Sequence, residues 1–416
     1  MRVLIAGGGI GGLTAALALH RKGIEAEVFE QSRGKAELGV GINTLPHAIK
    51  ELADLGLLEA LDGIAIRTRE LIYKNSHGQE ILRQLRGLDA GYDYPQFSIH
   101  RGKLQRVIRE HAVAELGAER IRSGQRLTRF LQNGDGVRAT FLDRQTGDEY
   151  DVEGDVLVGA DGIHSTVRAH YHPGEGPPSW NGVVMWRGAT LWEPFLTGRS
   201  MVIAGGMSAK LVLYPIFNDP ENHPGRTLMN WVVCAKVGDS SSPLPVREDW
   251  SKPAALEDVL PHARAFTVTE VDLEALIRAT PEFYVYPMCD RDPLERWSDG
   301  RVTLLGDAAH PMYPVGSNGA SQAILDARTL ADRLSDHADP VEALAAYDAE
   351  RRTATAAIVL ANRGGGPEGV IDLVEERAPD GFADIGDVAT PDELKALVGD
   401  YQQMAGFATE QVNRAG

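Results

Sequence analysis

The sequence predicts a mixed α/β (α+β) fold: one unit on a parallel sheet, a second on a mostly antiparallel sheet, and a helical C-terminal segment. Three observations predict it. The chain opens as strand, glycine turn, helix and strand. Its texture changes after Pro173–Pro178 (PGEGPP) to aromatic and β-branched runs separated by loops. From Arg301 a buried strand returns, followed by a turn and a long amphipathic helix.

In chain order, Arg2 to Ala6 is an apolar strand, Gly11 to Lys22 a helix and Ala26 to Glu30 a second strand, a βαβ unit. Val137 to Phe141 and Tyr150 to Val152 form a hairpin around Asp143 to Asp148, and Asp155 to Gly159 is a buried strand. Val183 to Ala189, Met201 to Ala204, Leu211 to Ile216 and Leu228 to Ala235 are strands of the second sheet. Val302 to Leu305 is a buried strand of the first unit. A helix follows with small or apolar residues at 320, 323, 324, 327, 330, 331 and 334, a 3.6-residue period. Residues after Asp339 are helical up to Gly364–Gly366, and the last forty residues are a mixed helical tail.

The 416 residues suffice for two domains and a large core. Lys+Arg 42 against Asp+Glu 59 gives a net charge of -17, which argues against nucleic acid or an anionic membrane as partner. Cys234 and Cys289 are the only cysteines, and no CxxC or HExxH spacing occurs, so no metal site is expected. The start MRVLIAGGG is too short for a signal-peptide core, and no later apolar run could span a bilayer; a cytoplasmic protein is expected.

Three motifs carry chemistry. Gly7, Gly9 and Gly12 form GxGxxG between a strand and a helix: a tight turn, close backbone approach to a pyrophosphate, and close helix–strand packing. The helix N-terminus favours the phosphates. Glu30 ends the second strand at the spacing of a ribose-binding acid and would repel a 2′-phosphate. The second motif is DVLVGADGIHSTVR, in which Asp161 bonds backbone amides or fixes Arg168; alone it is equally a capped strand–turn–helix. The third, RVTLLGDAAHPMYPVGSNGASQAILDA, brings Asp307, a turn with Pro311, Pro314, Gly316 and Gly319, and a helix N-terminus to one point. An acid and a helix start suit a polyol beside a group that becomes negative, and a flavin with its ribityl chain is both. His310 reads as a structural histidine bonding backbone.

Together, GxGxxG, DGxxSxxR and GDAAHxxxPxxGxG resemble the single-component (class A) flavin-dependent aromatic hydroxylases, with the p-hydroxybenzoate-hydroxylase-like fold, over roughly residues 1–360. The segments GVGIN, YPQFSIHRGKLQ, MWRG, LVLYPI and YPMCDRDPL are similar to the branch that holds salicylate hydroxylase and the phenazine-carboxylate monooxygenases. The resemblance implies a Rossmann-like FAD-binding domain over 1–72, 96–177 and 280–345, a substrate domain over 73–95 and 178–279, and a C-terminal segment over 346–416. It implies non-covalent FAD, with NAD(P)H and O2 as co-substrates, and hydroxylation of a small aromatic or heteroaromatic substrate through a flavin C4a-hydroperoxide, with decarboxylation where oxygen enters at a carboxylated carbon.

The resemblance also implies the residue roles. Gly7, Gly9, Ile10, Gly11, Gly12, Glu30 and Gln31 hold the ADP half. Gly39 and Val40 lie beside the flavin. Arg101 reaches the pyrophosphate or the ribityl chain, and the backbone near Leu127 borders the adenine. Asp161 serves FAD and the nicotinamide pyrophosphate, and Asp307 accepts ribityl hydroxyls. Pro314 and Gly316 cradle the ring, while Gly319 and Ala320 face its N1 edge. Pro314, Tyr214 and Arg187 are the catalytic candidates; Arg187 pairs with a substrate carboxylate or bridges domains. Trp186, Tyr214 and Trp231 are substrate-pocket candidates. A monomer or homodimer is expected. An FAD-dependent reductase without oxygenation and a non-catalytic flavin-binding redox sensor remain alternatives at this level. A halogenase does not, because WxWxIP is missing.

Overall fold

The structure is a computed structural model and describes residues 1–33, 40–239 and 252–414. Its first sheet has five parallel strands, in the order Val302–Leu304, Val156–Gly159, Arg2–Ala6, Glu25–Glu30 and Ile121–Ser123. The helix Ile10–Arg21 packs on this sheet and against the helix Gly319–Asp336. Glycine is required at the turn. Gly7 has φ +117°, and a Cβ on Gly12 would lie 2.0 Å from the Gly7 carbonyl oxygen. A small antiparallel sheet, Gln125–Gln132, Val137–Asp143 and Glu149–Gly154, covers the parallel sheet, with Phe29 stacked on Phe141 at 3.9 Å.

The sheet order explains why motifs far apart in sequence meet. The glycine turn, Asp161–Gly162 and Gly306–Asp307 follow three adjacent strands, Arg2–Ala6, Val156–Gly159 and Val302–Leu304. All three therefore sit at the carboxyl ends of neighbouring parallel strands, where open α/β sheets bind ligands.

The largest sheet has seven strands, in the order Phe283–Asp290, Ser179–Trp192, Thr227–Lys236, Ala209–Asn218, Ser200–Ala204, Glu70–Lys74 and Glu80–Leu85. It is antiparallel except where Ser200–Ala204 runs parallel to Glu70–Lys74. Its central strands are mostly buried on both sides, while the edge strand Glu80–Leu85 is partly exposed. The helices Leu256–Ala263 and Leu273–Arg278 cover one face, and part of the other meets the C-terminal helices Gly369–Arg377 and Pro391–Met404. A second small sheet, Gly41–Thr44, Phe97–His100 and Ala65–Arg67, lies between the two large ones in the chain's path.

Two expected boundaries shift. Phe283–Asp290, assigned by sequence to the first unit, hydrogen-bonds along Ser179–Trp192 in the seven-stranded sheet, and the chain rejoins the parallel sheet only at Val302. The division at residue 72 falls inside Glu70–Lys74, which belongs whole to that same sheet. Gly39 lies outside the described residues. Among the described residues no helix is long and apolar enough to cross a membrane, and no group of His, Cys, Asp and Glu could hold a metal ion.

Candidate active site

A cleft lies where the three motifs meet the large sheet. Two helices open onto it with their first amides uncapped. The helix Ile10–Arg21 starts at Gly9 and the helix Gly319–Asp336 at Asn318; neither has a side-chain cap or an acid in its first turn. Free N-terminal amides and the helix dipole favour an anion at each. A Cβ on Gly9 would meet nothing within 4 Å, so backbone there faces open space. A diphosphate at one helix start and an electron-rich ring at the other fit this cleft, as FAD requires.

Asp307 stands exposed in the cleft on the turn Gly306–Ala308. Buried Arg168, 1% exposed, holds that turn. Its Nη1 donates to the carbonyls of Ala308 (3.2 Å) and Ala309 (2.8 Å), Nη2 to the carbonyl of Asp292 (3.0 Å), and Nε to Glu175 (2.8 Å). Asp326 supports the other side. It accepts from Gly306 N (3.0 Å) and Arg351 Nε (2.8 Å), and pairs with His310 Nε2 at 2.6 Å. His310 is thus structural, but its partner is a carboxylate rather than backbone. Burial disfavours the Asp326 charge, yet His310 and Arg351 outweigh it and hold this carboxyl below its usual range. Arg101 faces Asp307 across the cleft; burial lowers its pKa and Asp307 opposes the fall.

Among the expected site residues, Gly9, Ile10, Gly11, Gly12, Arg101, Arg187, Tyr214, Asp307, Pro314, Gly319 and Ala320 all line the cleft. Gly7 lies beneath it in the turn. Val40 is buried, and its carbonyl accepts from Arg101 N at 3.0 Å. Gly316, at φ +65°, packs against Tyr401 and donates to Glu368 at 3.2 Å, beside Ser317 at φ +58°.

Others bond within the protein. The Glu30 carboxylate joins the glycine turn to its own, accepting from Gly8 N (2.7 Å) and Ser32 N (2.6 Å). Gln31 is exposed, and its carbonyl accepts from Arg144. Leu127 packs in the core, with its carbonyl accepting from Thr166 Oγ1 at 3.4 Å. Asp161 accepts from Thr166 N at 2.7 Å, so it caps the helix Thr166–Tyr171, while its neighbours Gly162 and Ile163 line the cleft.

Trp186 and Trp231 are not in the pocket. Side chains alternate across a strand, and with Met185 and Arg187 facing the cleft, Trp186 must face the helices. There it stacks on His262 at 5.0 Å. Trp231 likewise donates to Thr280 Oγ1 at 2.9 Å, in the core against Phe283.

A second cavity adjoins the cleft and shares Arg187, Tyr214, Pro314 and Ser317 with it. Met185, Met201, Met288, Val212 and Val232 make it apolar; Asn230 and the buried ion pair Lys210–Glu368 add polar groups. Burial and Arg101 push the Arg187 pKa down to about 9. Burial raises Tyr214 above the ordinary tyrosine range, despite Arg187, so it holds its proton at neutral pH and acts as a hydroxyl rather than a base.

Sequence reasoning missed Gln105, whose Nε2 donates to the Gly8 carbonyl at 2.8 Å. It lies one turn beyond Arg101 on the helix Arg101–Leu116, and that spacing could have found it. Asn230, Lys210 and Glu368 carried no local signal.

The FAD binding domain family model matches residues 1–183 and 247–362. The chain is 46% identical over 364 residues to a phenazine 1,6-dicarboxylic acid hydroxylase of Lysobacter antibioticus, covering 87% of this chain and 89% of that protein. It is 31% identical over 367 residues to a 3-hydroxybenzoate 6-hydroxylase of Aquipseudomonas alcaligenes, covering 87% of each. A salicylate hydroxylase substrate complex superposes with a TM-score of 0.75 at 22% identity, over 99% of this chain and 97% of that one, a likeness of fold. The chain belongs to the FAD binding domain family, as a class A, single-component aromatic hydroxylase: an FAD-dependent monooxygenase that consumes NAD(P)H and O2.

Proposed function

We propose that the enzyme hydroxylates a carboxylated, fused heteroaromatic ring of the phenazine class, with loss of CO2 where oxygen enters at the carboxylated carbon. The observation that carries this is the largely apolar cavity behind the cleft, with Arg187 at their junction. Three methionines give adaptable walls to a flat ring, and a cation that burial makes costly gains most from a substrate carboxylate. The 46% identical relative, named for a phenazine dicarboxylic acid, supports the same class.

FAD, when bound, activates O2 at the expense of NAD(P)H so that one oxygen atom enters the ring and the other leaves as water. In this reading the amides at Gly9–Gly12 take the diphosphate, and Arg101 adds positive charge beside it. Asp307 accepts hydroxyls of the ribityl chain. The turn from Pro314 to Ser317 flanks the ring system, and the amides of Gly319 and Ala320 stabilise negative charge at its edge. Arg187 orients the substrate carboxylate, and Tyr214 offers a neutral hydroxyl. The apolar walls exclude water, which would otherwise divert the activated oxygen to peroxide.

The test is NADH and NADPH oxidation with O2 uptake against phenazine-1-carboxylate, phenazine-1,6-dicarboxylate, salicylate and 3-hydroxybenzoate. The phenazine acids should accelerate flavin reduction and give a hydroxylated product. Stimulation by the single-ring acids alone would overturn the substrate class.

A further inference from the structure

We infer that Asn230 is a specificity-determining residue, whose side-chain amide donates a hydrogen bond to a ring nitrogen of the substrate. This deepens the phenazine-class reading and rests on it.

Asn230 sits mid-strand in Thr227–Lys236 and is fully buried. Its Oδ1 accepts from Gly41 N at 2.7 Å. That bond fixes the orientation of the amide, because a backbone N–H needs an acceptor and only the oxygen end supplies one. Nδ2 therefore points elsewhere, and it has no hydrogen-bond partner. The residue lines the second cavity. Strand alternation agrees: Asn230, Val232 and Cys234 face the cavity, while Trp231 and Val233 face the helices.

A buried donor without an acceptor is costly, and such groups are few in native proteins. Here the donor belongs to a residue that lines space the fold leaves for a ligand. The groups around it explain what kind of ligand. Tyr214, directly opposite in the strand register, is a neutral hydroxyl, and Arg187 already supplies the cation for a carboxylate. Lys210 and Glu368 neutralise each other as an ion pair, and Met185, Met201, Ile203, Val212, Val232 and Met288 supply apolar wall. A neutral N–H donor in an apolar wall matches an uncharged in-plane acceptor, the lone pair of an aza-aromatic nitrogen. A site built to hydrogen-bond one substrate atom rejects the isostere lacking it far better than apolar contact does.

Gly41 is bound to this arrangement. A Cβ there would lie 2.7 Å from Tyr214 Cε2 and 2.8 Å from Asn230 Cγ, so only glycine lets the strand Gly41–Thr44 come close enough for its amide to set the Asn230 orientation.

The test measures binding rather than turnover. Dissociation constants for phenazine-1-carboxylate and its carbocyclic isostere anthracene-1-carboxylate are determined by calorimetry on FAD-loaded protein without NAD(P)H, for wild type, Asn230→Leu and Asn230→Asp. Asn230→Asp keeps an acceptor for Gly41 but loses the donor, so it covers the case in which Asn230→Leu fails to fold. Wild type should prefer the aza ring by about tenfold, equivalent to about 1.4 kcal/mol, and the ratio should fall to about one in both variants with FAD content unchanged. Equal affinities in wild type, no binding of either probe, or a ratio that survives in the folded variants would overturn the proposal. Oxygen uptake on the same wild-type sample separates the two claims. Oxygenation with a surviving ratio sinks only the Asn230 role, and aza-selective binding without oxygenation sinks only the hydroxylase substrate reading.

Discussion

Asp307 reaches the cleft because other side chains hold its turn from beneath. Arg168 ties down the carbonyls that follow it, and Asp326 ties down the amide before it. The acid, the turn and the glycines were legible in sequence because each has a local signature: an apolar strand ended by Gly-Asp, and GxGxxG opening a helix. Their supports were not, since Arg168 reaches a turn 140 positions away and its own motif names no partner. Asp307→Ala should therefore leave the turn and the fold intact while removing a ribityl contact. We expect an unchanged circular dichroism spectrum and FAD affinity reduced about tenfold or more, read by titrating flavin into flavin-free protein, as for loss of a hydrogen bond to a charged group. FAD bound at wild-type affinity would contradict the role given to Asp307.

Strands and helices were mostly recovered from periodicity, and the failures have one physical cause. The run Val183 to Ala189 is buried on both faces, so it shows no alternation of polar and apolar residues to say which side meets the cleft. Trp186 and Trp231 were therefore indistinguishable in sequence from pocket residues, and only the register places Arg187 and Tyr214 on the cavity side. The same double burial hid the membership of Phe283–Asp290 in the large sheet. The contrast is measurable. Trp231→Phe removes buried volume and the bond to Thr280, so it should lower stability by about 1–3 kcal/mol in urea unfolding and leave the KM for the aromatic substrate unchanged. Tyr214→Phe should do the reverse, with near-normal stability and altered KM or coupling of NAD(P)H oxidation to product. Matching effects from the two variants would refute the assignment of faces.

At the scale of the molecule, the C-terminal segment braces the site from behind. Glu368 joins Lys210 on the large sheet to the amide of Gly316, and Tyr401 bonds both Asn318 at the helix start and Asn362. Asp326 with His310 and Arg351 closes the brace on the other side. Because Asp326 titrates below the usual carboxylate value, it contributes stability above about pH 4 that is lost as pH falls through its lower folded value. Thermal midpoints between pH 3 and 5 should drop more steeply for wild type than for Asp326→Asn, itself less stable at pH 7; parallel slopes would discount this cluster. The central claim is that cleft and cavity together direct one oxygen atom from O2 onto an aromatic ring. Its most direct test is turnover of phenazine-1-carboxylate with NADH under 18O2, followed by mass spectrometry. The account predicts a product carrying one 18O atom; a product without 18O, or NADH oxidation that yields peroxide alone, would contradict it.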